Sequence, residues 1–149
     1  MAKKVNDIDS IREAELNGAL ELFHFAYREF TSGPDRILEA KGLQRVHHRI
    51  LYFVGRNPGI AVSGLIEILG VTKQALNAPM RQLLEMKLVD MQTNGEDRRV
   101  RELRLTTQGA SLESSLSGLQ RRNMNALFAK VGPQAEEAWR AVMQAVAGR

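Results

Sequence analysis

Apolar residues recur along this chain at helical spacing, in runs separated by short glycine-, proline- or serine-containing breaks. Near the start, Ser10-Ile11-Arg12-Glu13 has the form of a capping box. Ile11, Leu16, Ala19, Leu20, Leu22, Phe23, Ala26, Tyr27 and Phe30 then cover more than one face of a helix that Ser32-Gly33-Pro34 is expected to end. A helix apolar over so wide an arc needs more than one neighbour. The next run predicts a helix from Leu43 to Arg56, with Leu43, Val46, His47, Ile50, Phe53 and Val54 toward the core and His48, Leu51, Tyr52 and Gly55 turned elsewhere. From about Thr107, Leu112, Leu116, Leu119, Leu127 and Phe128 populate a long helix that Gly132-Pro133 breaks. Ala135, Ala138, Trp139, Val142, Met143 and Val146 form the stripe of a last one.

Between these flanks the period changes. Pro58 to Gln74 has the order loop, short apolar helix, glycine turn, polar helix start, which is the order of a helix-turn-helix. Ser63 can cap a helix whose Leu65, Ile68 and Leu69 share one face, Gly70 can supply a left-handed turn residue, and Thr72 can cap the following helix. In that second helix Leu76, Met80, Leu83 and Leu84 point inward, leaving Lys73, Gln74, Asn77, Ala78 and Arg81 outside. Gln and Asn can bond the adenine edge bidentately and Arg or Lys the guanine edge, so this face suits the major groove. Pro79 stands seventh after Thr72 and cannot donate to the carbonyl of Ala75. Either the helix bends there, the favoured reading, or the regular helix starts near Pro79.

Downstream, apolar-alternating Leu88 to Met91 and Val100 to Leu105 flank Asn94-Gly95, a dipeptide suited to a tight primed turn in which both positions take positive φ. The hairpin would project Arg98 and Arg99 into solvent, with Arg101 and Arg104 behind them. Arginine binds phosphate bidentately and releases condensed counterions, so the hairpin reads as the wing of a DNA-binding domain. A solvated charged hairpin would have the same composition.

This order of elements resembles the winged helix-turn-helix of the multiple antibiotic resistance regulator (MarR) family, dimeric bacterial transcription factors. The resemblance rests on the Leu65 to Thr72 segment, the Asp97-Arg98-Arg99 wing tip and the Leu105-Thr106-x-x-Gly109 junction, and it covers about residues 34 to 112. Lys87 stands where many members have glycine, and Met91 where many have arginine. The expected fold is mainly α with a small β-hairpin wing: residues 1–149 as one intertwined subunit, 34–112 as the winged helix-turn-helix, and 1–33 with 113–149 as helical dimerisation regions. The expected DNA-binding residues are Thr72, Lys73, Gln74, Asn77, Ala78, Arg81, Arg98, Arg99 and Arg101. The resemblance further implies a homodimer on a pseudo-palindromic operator, and a phenolic or other aromatic effector lodged between the dimer helices and the winged region. The aromatic and cationic residues nearest that cleft are Tyr27, Arg28, Phe30, His48, Arg49 and Tyr52.

Charge placement agrees with this reading. Residues 43–109 hold ten Lys/Arg against six Asp/Glu, whereas the rest of the chain is neutral, so the whole excess of +4 falls in the segment expected to touch DNA. The 149 residues suffice for one core. With no cysteine there is neither a disulfide framework nor a thiol switch. No carboxylate stands four residues from His47 or His48, and adjacent histidines on one helix diverge by about 100°, so no metal site is expected. His47 reads as a structural histidine, and His48 as a pocket or interhelical hydrogen-bonding group. Neither a phosphate-binding glycine loop nor a nucleophile elbow occurs, so catalysis and a cofactor are not expected. A signal-peptide core and an apolar run of about 18 residues are both lacking, so a cytoplasmic location without membrane contact is the expectation. Two functions of different class fit: a sequence-specific DNA-binding regulator, most simply a repressor relieved by a small molecule, and a winged-helix module whose wing serves protein assembly.

Overall fold

The computed structural model describes the backbone of residues 2–149 and the side chains of residues 9–149. In chain order the elements are α1 (Ala2–Glu39), α2 (Arg45–Arg56), β1 (Ile60–Ala61), α3 (Val62–Leu69), α4 (Lys73–Glu85), β2 (Val89–Thr93), β3 (Arg101–Leu105), α5 (Thr107–Val131) and α6 (Pro133–Ala147). The chain divides into two compact units, Met1–Gly33 and Pro34–Arg149. No helix among the described residues is long and apolar enough to cross a membrane.

The first unit is a single helical segment whose Ile11, Leu16, Leu20, Leu22, Phe23, Phe25 and Tyr27 are all exposed. Ser10 does not cap it, because α1 already runs from Ala2 and Ser10 lies within it. Extending a helix through residues without breakers adds a hydrogen bond per residue at little cost once a turn exists. Nor does Ser32-Gly33-Pro34 end α1, which continues to Glu39 with Pro34 inside. The turn before the proline is braced by hydroxyls: Thr31 donates to the Tyr27 and Arg28 carbonyls, and Ser32 to that of Glu29. Burial of the Pro34 ring in the second unit offsets the lost backbone bond.

The second unit is built on one core of Leu38, Leu43, Ile50, Leu51, Val54, Leu65, Leu76, Met80, Leu83, Leu88, Val89, Leu103, Leu112 and Leu116. Leu51 is fully buried, so α2 is apolar over a wider arc than its periodicity suggests. Gln44 and His47 cap α2 reciprocally, the Gln44 N–H donating to Nδ1 of His47 at 2.9 Å. The sheet is antiparallel in the order β1-β3-β2, with Ile60 opposite Leu103, Met91 opposite Leu103 and Val89 opposite Leu105. The two-residue β1 has a loop's sequence and is a strand only by pairing with β3.

Where the chain leaves the sheet, Thr106 caps α5 through a bond from the Gly109 N–H and donates its own hydroxyl to the Lys87 carbonyl at 2.6 Å. Gly109 sits against the chain here: a Cβ on it would lie 1.8 Å from the Leu88 carbonyl oxygen. The long helix runs as expected from Thr107 to Gly132-Pro133. α6 has no buried residue; its Trp139 ring packs edge-on against Phe128 of α5.

Candidate nucleic-acid interface

Helix α3 begins two residues earlier than a Ser63 cap would allow. Its N-cap is Ala61, which β1 holds extended, and Ser63 stands in the first turn. Gly70 closes α3 in the left-handed conformation, φ 63°, ψ 31°, and Thr72 caps α4 by accepting from the Ala75 N–H at 3.1 Å. α4 is continuous from Lys73 to Glu85 with Pro79 inside, so a regular helix starting only at Pro79 is excluded. Leu76, Met80 and Leu83 are buried, while Lys73, Gln74, Asn77, Ala78 and Arg81 are exposed, as the periodicity predicts. No acidic residue occupies the first turn of α4, whose N-terminal end therefore keeps its positive dipole unopposed.

The wing tip differs from the tight turn expected of Asn94-Gly95. Seven residues, 94–100, join β2 to β3, and neither Asn94 nor Gly95 takes positive φ. Side-chain bonds organise this longer loop instead. Asn94 Oδ1 accepts from the Glu96 and Asp97 N–H groups, Asn94 Nδ2 donates to Glu102, and the Asn94 N–H closes on the Val100 carbonyl. An asparagine that bonds its own backbone two and three residues on competes successfully with a primed turn. Asp97 then receives the Arg99 N–H at 3.0 Å, its Nε at 3.2 Å and a terminal guanidinium nitrogen at 3.3 Å. These bonds, the side-chain ones first, hold the Asp97 carboxyl below the usual carboxylate pKa. Asp97 thus braces Arg99, whereas Arg98 is exposed without such a contact.

The sheet's two-residue alternation divides the wing cations. Arg101 lies on the face of buried Leu103, and its guanidinium meets Met91 Sδ at 3.7 Å. Arg104, on the opposite face, sits over Gly59 (φ 85°), where a Cβ would lie 2.9 Å from its guanidinium. A groove of about 610 Å³ consequently opens between α3, α4 and the wing. Lys73, Arg81, Arg99 and Arg101 line it with Asn77 and Ser63, over a floor of Ile66, Leu76, Met80, Leu84, Met91 and Val100, and no carboxylate joins them. Of the sequence-predicted DNA-binding residues, Lys73, Asn77, Arg81, Arg99 and Arg101 come together here. Thr72, Gln74, Ala78 and Arg98 are exposed outside the lining. Ser63 joins them from the first turn of α3, a place that its sequence reading as a helix cap does not indicate.

The six residues considered for an effector fall in different units. Tyr27, Arg28 and Phe30 belong to the first; His48, Arg49 and Tyr52 belong to the second. His48 Nε2 lies 3.1 Å from the Ser117 hydroxyl of α5, an interhelical bond. Burial lowers the His48 pKa, opposed by the charges of Glu113 and Asp35 and aided by Arg49. Tyr52 carries the Arg56 guanidinium 4.7 Å above its ring, and the same Arg56 reaches within 3.9 Å of buried Glu113. Among the described residues no cluster of His, Asp and Glu can hold a metal ion.

A short helix, a turn, a second helix with an exposed polar face and a β-wing on a three-stranded antiparallel sheet define a winged helix-turn-helix protein. Comparison with known proteins makes the class specific. The family model described as MarR family matches residues 41–100. The HTH-type transcriptional regulator PetP of Rhodobacter capsulatus is 43% identical over 136 residues, covering 91% of this chain and 82% of the relative. The chain belongs to the MarR family of transcriptional regulators, which are not enzymes. Solved structures agree in fold. FabT of Streptococcus pneumoniae in complex with DNA superposes with a TM-score of 0.81 at 13% identity, covering 89% of this chain and 95% of that one. MarR gives a TM-score of 0.69 at 22% identity, covering 89% and 88%.

Proposed function

We propose that this regulator is a twofold dimer that recognises a pseudo-palindromic operator, represses the adjoining gene, and is released by a small aromatic or phenolic effector. One observation carries the DNA contact: four cations from two separate elements, Lys73 and Arg81 of α4 and Arg99 and Arg101 of the wing, line one groove that contains no carboxylate. Such a groove attracts a phosphate strand, while exposed Gln74, Asn77 and Ala78 meet base edges and Thr72 and Arg98 approach the flanking backbone. The DNA-bound relative FabT supports this docking. Half-sites about 10 base pairs apart, centre to centre, follow from two such helices in successive major grooves.

Exposed apolar side chains on α1 and on α6, where Trp139, Val142 and Val146 face solvent, support self-association. The effector reading rests on the family, with His48, Arg49 and Tyr52 of the second unit as its proposed contacts there. A ligand at His48 competes with Ser117 for Nε2.

Titrating the chain on duplex fragments of its own promoter, with footprinting, tests the reading. Twofold-symmetric protection, lost on adding a substituted benzoate, is expected. Protection without symmetry, or none, overturns it.

A further inference from the structure

On its inner flank α4 carries a polar link that neither the core nor the groove uses. Gln82 stands one turn after Pro79, and its Nε2 donates to the Gly42 carbonyl at 3.0 Å, in the turn between α1 and α2. With the amide nitrogen so engaged, Gln82 offers its oxygen, an acceptor, to its other polar neighbour, the buried ring of His47. His47 Nδ1 accepts the Gln44 N–H, so the neutral ring carries its proton on Nε2. Nε2 is a buried donor that makes no completed hydrogen bond. Burial lowers the ring's pKa, and its polar neighbours Gln82 and Gln44 only partly offset that shift. A neutral ring keeps this donor and acceptor pattern.

The two groups are complementary and stand on different helices, α2 and α4. Completing the bond would remove the cost of an unpaired buried donor, and a turn of α4 about its own axis is the movement that changes how Gln82 approaches the ring. Pro79 makes such a turn easier, because the backbone bond to the Ala75 carbonyl is missing just before Gln82.

We propose that Gln82 and His47 are positioning residues for operator reading, whose hydrogen bond closes as DNA docks and fixes the rotation of α4 in the groove. This rests on α4 being the DNA-reading helix. Neither side chain touches DNA. The pair acts on which bases Gln74 and Asn77 meet, and leaves the phosphate contacts of the groove cations unchanged.

The test uses the duplex that the unaltered full-length chain enriches from a randomised pool, and a scrambled duplex of the same composition. Gln82→Met keeps the side-chain volume and removes both polar groups. Its preference for the enriched duplex should fall about tenfold, as for one lost hydrogen bond, with scrambled-duplex affinity and salt slope unchanged. Gln82→Glu, which still accepts from His47, should recover part of the preference. An unchanged preference in folded Gln82→Met, or an equal fall on both duplexes, overturns the proposal. If Gln82→Met does not fold, proton NMR of the unaltered chain decides: the ring N–H signal that His47→Gln abolishes should exchange more slowly once the enriched duplex is added, and an unmoved signal overturns the proposal. Gln74→Ala separates the two layers of the argument. If it leaves the preference intact, α4 does not read DNA and both readings fall; if it lowers the preference while Gln82→Met does not, only the positioning role falls.

Discussion

Lys87 takes φ 55°, the left-handed region, alone among the described non-glycine residues. It closes the C-terminal end of α4, where the Lys87 and Leu88 N–H groups bond the Leu84 and Leu83 carbonyls. Its own carbonyl receives the Thr106 hydroxyl. The position therefore holds three elements together at a conformation that costs a residue with a Cβ about 1–2 kcal/mol. Glycine adopts it freely but loses about 0.5–1 kcal/mol more entropy on folding. Lys87→Gly should thus stabilise the chain by about 0.5–1 kcal/mol, read as a higher urea midpoint at constant slope. A lower midpoint would show that the lysine stem packs usefully there. The histidines make a second residue-scale prediction. His47 and His48 have pKa values lowered mainly by burial, so the fold favours their neutral forms. Their contribution is complete above the unfolded value near 6.5 and is lost as pH falls through the lowered folded values. Between about pH 7 and pH 5 the melting temperature should drop more for the unaltered chain than for the His47→Gln/His48→Gln double variant. Parallel drops would remove both histidines from the account.

At the scale of elements, the junction of β3 with α5 and the wing tip use glycine for opposite reasons. Gly109→Ala places a methyl 1.8 Å from the Leu88 carbonyl oxygen, so the start of α5 must move off the sheet and break the Thr106 bonds with it. A loss of about 3 kcal/mol or more is expected in denaturant unfolding. Gly95→Ala meets nothing within 4 Å and its φ is not positive, so its effect should stay within about 1 kcal/mol of zero. A large loss at Gly95 with a small one at Gly109 would reverse this account. The same pair shows what the sequence discloses. Leu105-Thr106-x-x-Gly109 was readable because cap, helix start and close approach are local, and Gly70 and Thr72 were readable for the same reason. Asn94-Gly95 announced a turn but not its type, since the Asn94 side chain engages Glu96, Asp97 and Glu102 rather than leaving the turn to the backbone. The grouping of Lys73, Arg81, Arg99 and Arg101 followed from helix and strand periods, once Arg104 is assigned to the other face. β1, the displaced cap of α3 and the link from Gln82 to Gly42 depend on partners 40 or more residues away, which no local pattern records.

For the whole molecule, the proposed dimer and the proposed wing contact can be read from one number, the slope of log affinity against log salt. Leu20 and Leu22 of the first unit are 69% and 71% exposed, and α6 of the second exposes Val146 at 68%, so each unit by itself carries apolar surface that a second copy would cover. Each wing carries one Arg99, held out by Asp97 on the rim of the groove. Neutralising a cation at a phosphate removes about 0.9 from the magnitude of the slope. A monomer docking one wing should therefore lose about one unit on Arg99→Ala, and a symmetric dimer docking two should lose about two. A Leu20→Glu/Leu22→Glu variant, expected to sediment as a monomer, should return the loss to about one and bind half-sites as the monomer does. A change of two in a variant that sediments as a monomer would break the link between dimer and slope. No change on Arg99→Ala in either form would take the wing off the DNA, whatever the oligomeric state.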